Sequence, residues 1–409
     1  MTPFWAPWMS PFGATVRPSA HADASQGASP TAPFGVTGAI AGRFWERLER
    51  LTHTHPAFPD EWARLAGRQR SPEVVEAFGT ETPASRDVLL HAAPNWQTRH
   101  GTPVLLVHGA TMDGTCWTDP YGRENEGLAQ GLVAAGRRVF AVTFAHRHGD
   151  NLLQRESLAC AIARVLALTG AEQVDVVAHS KGTVAARALA SGLAEPWMTP
   201  YRGEIRRLVM VGGPNAGIDY AFRHPQIQWA LVPERDDPRL NAPFVWRRML
   251  AFGVWSDTAD RTLYTNTVNC FPGQAQMLAR WDHVYPLSPV EPDWHTTYYG
   301  GQGLVSYSDG IDAAIAQGGH FLARLDARPL DPRIELVVLA GDRADRVGVL
   351  NETTGPSDGT VFVESATATD AMCAGGARLL RCEVLGVNHG ELIYAPQAKQ
   401  WLLETLLEN

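Results

Sequence analysis

Residues 174–185 read Val-Asp-Val-Val-Ala-His-Ser-Lys-Gly-Thr-Val-Ala, an apolar run that leads into Ser180 and then into alanine-rich sequence. The residues up to His179 favour a buried strand, and those after Ser180 favour a helix. A serine between a strand and a helix occupies a strained turn, where the small residues Ala178 and Gly182 let neighbouring backbones approach. The segment therefore predicts an α/β protein with a nucleophilic serine, the alternative being a small residue at an ordinary crossover.

Strand-like and loop-like segments on both sides of this turn support the first interpretation. Residues 103–112 read Pro-Val-Leu-Leu-Val-His-Gly-Ala-Thr-Met, a buried strand that ends in His-Gly. Residues 334–340 and 379–385 predict two more strands, and a closing amphipathic helix is expected from about Ala395 to Leu407. Acidic residues follow the first of these strands and His389 follows the second, so Ser, Asp and His occur in the order of a serine-hydrolase triad.

Three segments together resemble the true-lipase branch of the α/β-hydrolases: Ala178-His179-Ser180-Lys181-Gly182, Asp358-Gly359-Thr360-Val361 followed by Ser365-Ala366, and Asn388-His389-Gly390. The nearest similarities are to class 2 bacterial lipases with alanine at the elbow and to the related extracellular depolymerase of native polyhydroxybutyrate. The resemblance covers roughly residues 100–214 and 330–409. It implies a mostly parallel central sheet flanked by helices. The segments that the resemblance does not cover predict a large cap insertion, since more than a hundred residues separate two core strands, and an N-terminal extension.

The resemblance also implies roles for individual residues. Ser180 is the nucleophile, His389 the base and Asp358 the acid, while the backbone N–H groups of Ala110 and Lys181 form the oxyanion hole, with Thr111 as an alternative to Ala110. Related chains often carry methionine where this one has Lys181, and a charge there argues against a wholly apolar mouth to the site.

Other residues compete for two of these roles. Asp342 and Asp345 also follow the penultimate strand, each beside an arginine, and Asp342 is the main alternative to Asp358. His179, His295 and His320 are alternatives to His389 as base, but each is expected to be structural. His108 is likewise expected to support its loop.

The expected reaction is hydrolysis of a carboxylic ester through an acyl-enzyme, without metal or organic cofactor. An acyltransferase or thioesterase would use the same residues, and triglyceride, short-chain ester and polyester such as polyhydroxyalkanoate are all candidate substrates. A hydrolase-like binding protein without catalysis is a further alternative. The substrate could include a lipid or polymer interface.

Composition narrows the choice of partners. The chain has 409 residues, 45% of them hydrophobic, and a formal net charge of −8, which argues against nucleic acid. No apolar run approaches the length of a transmembrane helix. No secretory signal is evident, although Ala20-His21-Ala22 resembles a cleavage site, so we expect a cytoplasmic protein, or a secreted one if its signal is missing. The oligomeric state is not indicated.

The chain divides into four predicted parts. Residues 1–38 predict a flexible tail, 39–85 a helical N-terminal extension, 86–214 with 331–409 the hydrolase core, and 215–330 a cap. The cap is rich in tryptophan and tyrosine, which predicts a preference for bulky or apolar acyl groups, and Gly300–Gly303 and Gly318–Gly319 are candidate hinges. Among five cysteines, Cys373 and Cys382 are candidates for a disulfide; Cys116 or Cys270 could equally pair, and free buried thiols are the default for these and Cys160.

Overall fold

A large, mostly parallel sheet runs through the computed structural model, which describes residues 34–61, 67–124, 127–223, 272–287, 295, 298–302, 307–308, 310–345 and 352–407. All of these belong to one compact unit of the chain. Among the helices within these ranges, none is long and apolar enough to cross a membrane.

Nine strands form the main sheet in the order β1-β2-β3-β5-β4-β6-β7-β10-β11. The first three pairings are antiparallel and all later ones are parallel. The strands are β1 (Phe34–Ile40), β2 (Arg47–His53), β3 (Asp87–Ala92), β4 (His100–Val107), β5 (Arg137–Phe144), β6 (Val174–His179), β7 (Ile205–Val211), β10 (Glu335–Gly341) and β11 (Arg378–Leu385). The short strands β8 (Gly301–Gln302) and β9 (Tyr307–Ser308) pair separately.

Helices connect and cover these strands. They are α1 (Pro72–Phe78), α2 (Leu128–Ala134), α3 (Asn151–Thr169), α4 (Lys181–Ala190), α5 (Tyr220–Arg223), α6 (Pro272–Ala275), α7 (Ile311–Gln317), α8 (Phe321–Asp326), α9 (Val363–Thr367), α10 (Asp370–Cys373) and α11 (Pro396–Leu407). The longest, α3, begins where the Asp150 carboxylate accepts the N–H groups of Leu152 and Leu153. It ends at Gly170, whose φ of 68° is left-handed.

The central strands are buried on both faces because successive side chains point to opposite sides of a sheet. Leu105 and Val107 of β4 pack with α3 and α4 side chains such as Leu158. Val104 and Leu106 pack on the opposite side, where α2 and α11 contribute Leu128, Leu132, Leu402 and Leu406. The carboxyl ends of β4, β6, β7 and β10 therefore meet at one edge, held from both sides.

The predicted core strands match the observed ones closely: the strand expected at 334–340 is β10, and the one expected at 379–385 is β11. The predicted sheet flanked by helices is thus observed. The division into tail, extension, core and cap stays a prediction.

The helical interpretation of residues 39–53 was wrong, because these residues contribute to strands β1 and β2. Leu48 and Leu51 are fully buried, but they belong to strand β2, and their side chains pack on opposite faces of the sheet. A helix does occur at Pro72–Phe78, where Val74 and Phe78 are buried. Of the predicted flexible tail, residues 1–33 lie outside the described residues, and the prediction was wrong for residues 34–38, which belong to β1 and pair with β2.

Candidate active site

Ser180 lies between β6 and α4 with φ 52° and ψ −128°, a strained conformation for a residue other than glycine. Its N–H donates to the Val211 carbonyl at the end of neighbouring strand β7 (2.8 Å). Gly182 passes so close to β4 that a Cβ there would lie 2.5 Å from the His108 carbonyl oxygen. Glycine is therefore required two positions after Ser180, because the two backbones approach too closely for a side chain.

Three predicted site residues form one hydrogen-bonded chain. His389, in the loop after β11, places Nε2 2.8 Å from the Ser180 Oγ and Nδ1 2.6 Å from Asp358 Oδ2. Both His389 and Asp358 are buried. The His389 backbone N–H also donates to the Asp358 carbonyl (2.8 Å), so the two loops are tied together by main chain as well as side chain.

The second oxygen of Asp358 is also occupied. Oδ1 accepts the N–H groups of Thr360 (3.0 Å) and Val361 (2.8 Å). These bonds hold the carboxylate in place and leave Oδ2 for His389. The Asp-Gly-x-Val segment thus folds as a turn around its own carboxylate.

The competing acids lie elsewhere. Asp342 is exposed just beyond β10. Asp345 is also exposed and pairs with Arg343 at 2.5 Å. Within the part of the chain that the structure describes, Asp358 is the carboxylate that contacts His389.

The Ala110 and Lys181 N–H groups, the predicted oxyanion donors, have no acceptor among the described residues. Lys181 opens α4, where N–H groups are left unpaired by the helix itself. The loop that carries Ala110 is pressed against the elbow, since a Cβ on Gly109 would lie 2.8 Å from the Ser180 Cβ. Thr111, the next residue, has a left-handed φ of 65°. Two unpaired donors therefore belong to segments on either side of Ser180.

His108 holds this loop in place. Its Nε2 accepts the Phe144 N–H (3.1 Å), so the proton is on Nδ1, which donates to the Gly109 carbonyl (2.7 Å). Burial lowers the pKa of His108 to about 4, which keeps the ring neutral near pH 7. The expected structural role is consistent with these contacts.

His179 lies closer to the site than sequence reasoning indicated. Its ring is 4.9 Å from that of His389, and its Nε2 donates to the His389 carbonyl oxygen (3.1 Å). A histidine just before Ser180 was visible in the sequence, but a partner 210 positions away was not. Of the other two histidines considered, His320 is exposed and His295 is half-buried, both within the insertion.

The Lys181 side chain is buried, so the expected charge at the mouth of the site is not observed. Its Nζ donates to Asn151 Oδ1 (2.9 Å) and to Gln154 at the start of α3. Burial lowers the pKa of Lys181 to about 7, against the opposing effect of Glu61 and Asp150. Burial, with the nearby Asp150 carboxylate, raises the pKa of Glu61 to about 8. The ammonium group belongs to a polar cluster inside the protein.

His53, Glu156 and Cys160 bring three potential metal-ligand atoms within 4.8 Å of one another. The Glu156 carboxylate already pairs with Arg155 at 2.7 Å and accepts the Thr199 hydroxyl at 2.6 Å. A neighbouring guanidinium opposes a dication, so the cluster fits a structural role better than a metal site. Cys116, Cys160, Cys373 and Cys382 are free thiols, and Cys270 lies outside the described residues.

The described part of the insertion packs against the loop that carries Asp358. Trp281 and Tyr285 lie with ring centroids 5.5 and 4.3 Å from Phe362, four residues after Asp358. The Trp281 indole donates to the Gly217 carbonyl (3.1 Å). These two aromatic residues support the loop that carries Asp358. Trp229, Trp246, Trp255, Trp294 and Tyr264 lie outside the described residues, and so does Gly303 of the first predicted hinge.

Comparisons with known proteins give a family match and several similar folds. Residues 71–229 match the model of a domain of unknown function, DUF7379. The mature lipase BlEst2 from Bacillus licheniformis is 15% identical, with TM-score 0.40, over 75% of this chain and 92% of that one. The carboxylesterase CesB from Bacillus subtilis is 11% identical, with TM-score 0.34, over 85% and 91%. The thioesterase domain from the Curacin biosynthetic pathway is 15% identical, with TM-score 0.35, over 86% and 99%.

Proposed function

We propose that the protein is a serine hydrolase that cleaves carboxylic esters, with Ser180, His389 and Asp358 as its catalytic residues. The observation that carries this proposal is the continuous hydrogen-bonded chain from Ser180 Oγ through both ring nitrogens of His389 to Asp358 Oδ2. This series of hydrogen bonds joins a nucleophile, a base and a group that orients the base.

In the proposed reaction, Ser180 Oγ attacks the ester carbonyl while His389 Nε2 takes its proton. Asp358 holds the proton on Nδ1 and stabilises the imidazolium. His389 then donates its proton to the departing alcohol, which leaves an acyl group on Ser180. Water attacks this acyl-enzyme with His389 again as base, and the released acid restores the serine.

The negative oxygen formed in each step would bind between the Ala110 and Lys181 N–H groups. A single donor of this kind contributes about 3–4 kcal/mol to the transition state in comparable sites. His108 would support the contribution of Ala110 by fixing the Gly109 carbonyl. The side chain of Lys181 takes no part, since its Nζ is bonded inside the protein.

Apolar or bulky acyl groups are the proposed preference. The support is the aromatic content of the insertion, together with the absence of the Lys181 charge from the mouth. The value of kcat/KM for p-nitrophenyl esters should therefore rise from acetate toward hexanoate and decanoate. A maximum at acetate with a steep fall by hexanoate would identify a small-ester esterase instead.

The test of the catalytic proposal is the variant Ser180→Ala. Ester turnover should fall by about four to six orders of magnitude, because the nucleophile is lost while the fold persists. An aryl fluorophosphonate should label the wild-type protein at Ser180, located by peptide mass spectrometry, and should not label the variant.

The matched control is Ser191→Ala, at the other end of α4, which should keep both labelling and turnover. Retention of more than about a tenth of the activity by Ser180→Ala would rule out the assignment. A wild-type protein that is folded but neither labelled nor active would favour the binding-protein alternative.

A further inference from the structure

Tyr121 has a conformation that its side chain disfavours. Its φ of 54° and ψ of 33° lie in the left-handed region, and Gly122 follows with φ 78°. A bulky residue with positive φ is a true outlier, and such strain accumulates where function requires a side chain in one place. The other left-handed residues other than glycine within the described ranges include Ser180 and Thr111, which belong to the site already described.

The ring of Tyr121 lies beside the loop of His389. A Cβ on Gly390 would lie 3.1 Å from both Cε2 and the hydroxyl oxygen of Tyr121, so the absence of a side chain at Gly390 makes room for the ring. Tyr394 meets the Tyr121 ring edge to face at 6.1 Å, and the Arg123 guanidinium lies 4.9 Å from the centre of the Tyr394 ring. Contacts with Gly390 and Tyr394 thus hold the ring of Tyr121 in place.

Despite these contacts, 54% of Tyr121 is exposed to solvent. A tyrosine fixed by strain and bracing presents a rigid apolar face with a polar tip, which is a good surface for an aromatic or branched organic group. A residue needed only for packing would be buried, whereas this ring is held in place at the surface.

The position of Tyr121 indicates which part of an ester it meets. In the proposed reaction His389 passes its proton to the leaving alcohol, so the surface beside His389 is the leaving-group side. Tyr121 contacts Gly390, the residue after His389.

We propose that Tyr121 is a specificity-determining residue that binds the alcohol part of the ester substrate and selects alcohols with an aromatic or bulky apolar group. This inference rests on the proposed function and adds the leaving group to it. The phenol ring supplies the contact, and its rigid placement means that little conformational freedom is lost on binding.

The experiment compares methyl butyrate, benzyl butyrate and methyl octanoate on wild type, Tyr121→Phe and Tyr121→Gly. The two butyrates give the same acyl-enzyme, so their ratio of kcat/KM reports the alcohol alone, and the two methyl esters report the acyl chain alone. Glycine removes the ring and adopts the left-handed backbone without strain. Melting temperatures are measured for every variant.

Tyr121→Gly should lower the benzyl-to-methyl ratio by about three- to tenfold, the range expected for one aromatic contact. The octanoate-to-butyrate ratio should not change, and the melting temperature should stay the same or rise as the strain is relieved. Tyr121→Phe should keep the wild-type ratio. Asn95→Gly is the matched control, because Asn95 is also left-handed (φ 59°) but follows Ala92, which pairs with Phe140 and not with Phe144 at the end of β5 nearer the site.

An unchanged benzyl-to-methyl ratio in Tyr121→Gly would overturn the inference while leaving the proposed function intact. So would an equal loss on all three esters together with a lower melting temperature, which is the result of a purely structural role. If the wild type hydrolyses none of the esters and Ser180 is not labelled, the proposed function and this inference fail together.

Discussion

At the level of single residues, Asp358 and Asp342 are distinguished by their surroundings. The Asp358 carboxylate is buried and hydrogen-bonded through both oxygens, whereas Asp342 is exposed. Both aspartates lie in the connection between β10 and α9, and substituting either with asparagine removes one negative charge with little change of shape.

Asp358→Asn should lower kcat by about four orders of magnitude, because an amide in that place favours the wrong tautomer of His389. Asp342→Asn is the control and should be nearly neutral. Turnover of a p-nitrophenyl ester measures both. The opposite ranking of the two variants would make Asp342 the acid and the Asp-Gly-x-Val similarity misleading.

Ser180, Asp358 and His389 could be predicted from the sequence because each lies in a short local pattern, and the structure brings those three together. Their catalytic roles stay predictions. Two other features could not be predicted, since both depend on contacts between distant segments. The Lys181 side chain turns into a cluster built by α3, and Tyr121 occupies space left by Gly390.

At the level of secondary-structure elements, the contact between the loop after β4 and the elbow sets a strict size limit. A methyl group at Gly109 would lie 2.8 Å from the Ser180 Cβ and 3.0 Å from His179 Nδ1. His179 is the last residue of β6 and Ser180 forms the turn after it, so both are held by the sheet and the loop itself must move.

Gly109→Ala should therefore destabilise the protein by about 1–3 kcal/mol, as overpacking does, and should reduce turnover because the Ala110 N–H is displaced. Denaturant unfolding and the rate of fluorophosphonate labelling measure the two effects. Gly35→Ala, in β1, has no atom within 4 Å of the new methyl group and serves as control. If Gly109→Ala is labelled at the wild-type rate, the position of the loop after β4 does not affect the reactivity of Ser180.

The N-terminal strands show where periodicity misleads. Phe44, Leu48 and Leu51 have helical spacing, yet Arg47–His53 pairs with β3 in the sheet. Both Leu48 and Leu51 are buried because the sheet is covered on both faces here, so the strand shows no alternation of apolar and polar residues. The core strands were easier to predict, since their apolar runs are short and continuous.

At the level of the whole molecule, several buried histidines couple stability to pH. Burial lowers the pKa of His91 and of His146 to about 3 and that of His108 to about 4, and it lowers the pKa of His148 well below the ordinary value. Unfolding exposes these rings, which then bind protons below pH 6.5. Their contribution to stability is present above about pH 6.5 and is lost as the pH falls toward 4 and 3.

The slope of the unfolding free energy against pH tests this coupling. His91→Gln should reduce the slope between pH 4.5 and 5.5 by about 1.4 kcal/mol per pH unit, because one proton fewer is bound on unfolding. Thr143→Val removes the hydrogen-bond partner of His91 (2.8 Å) without removing a titrating group, so it should change stability but not slope. Equal slopes for wild type and His91→Gln would show that this ring takes up no proton on unfolding.

The side chain of Lys181 is buried, so its chemical reactivity can report local opening of the folded protein. Only two lysines occur in the sequence, and the other, Lys399, lies half-buried in α11. While the contact between α3 and α4 is closed, the buried amine of Lys181 is held by Asn151 and Gln154; when the contact separates, the amine becomes accessible to amine-reactive reagents. The rate of acetylation of Lys181, followed by mass spectrometry beside that of Lys399, would thus measure how often the contact between α3 and α4 opens next to Ser180.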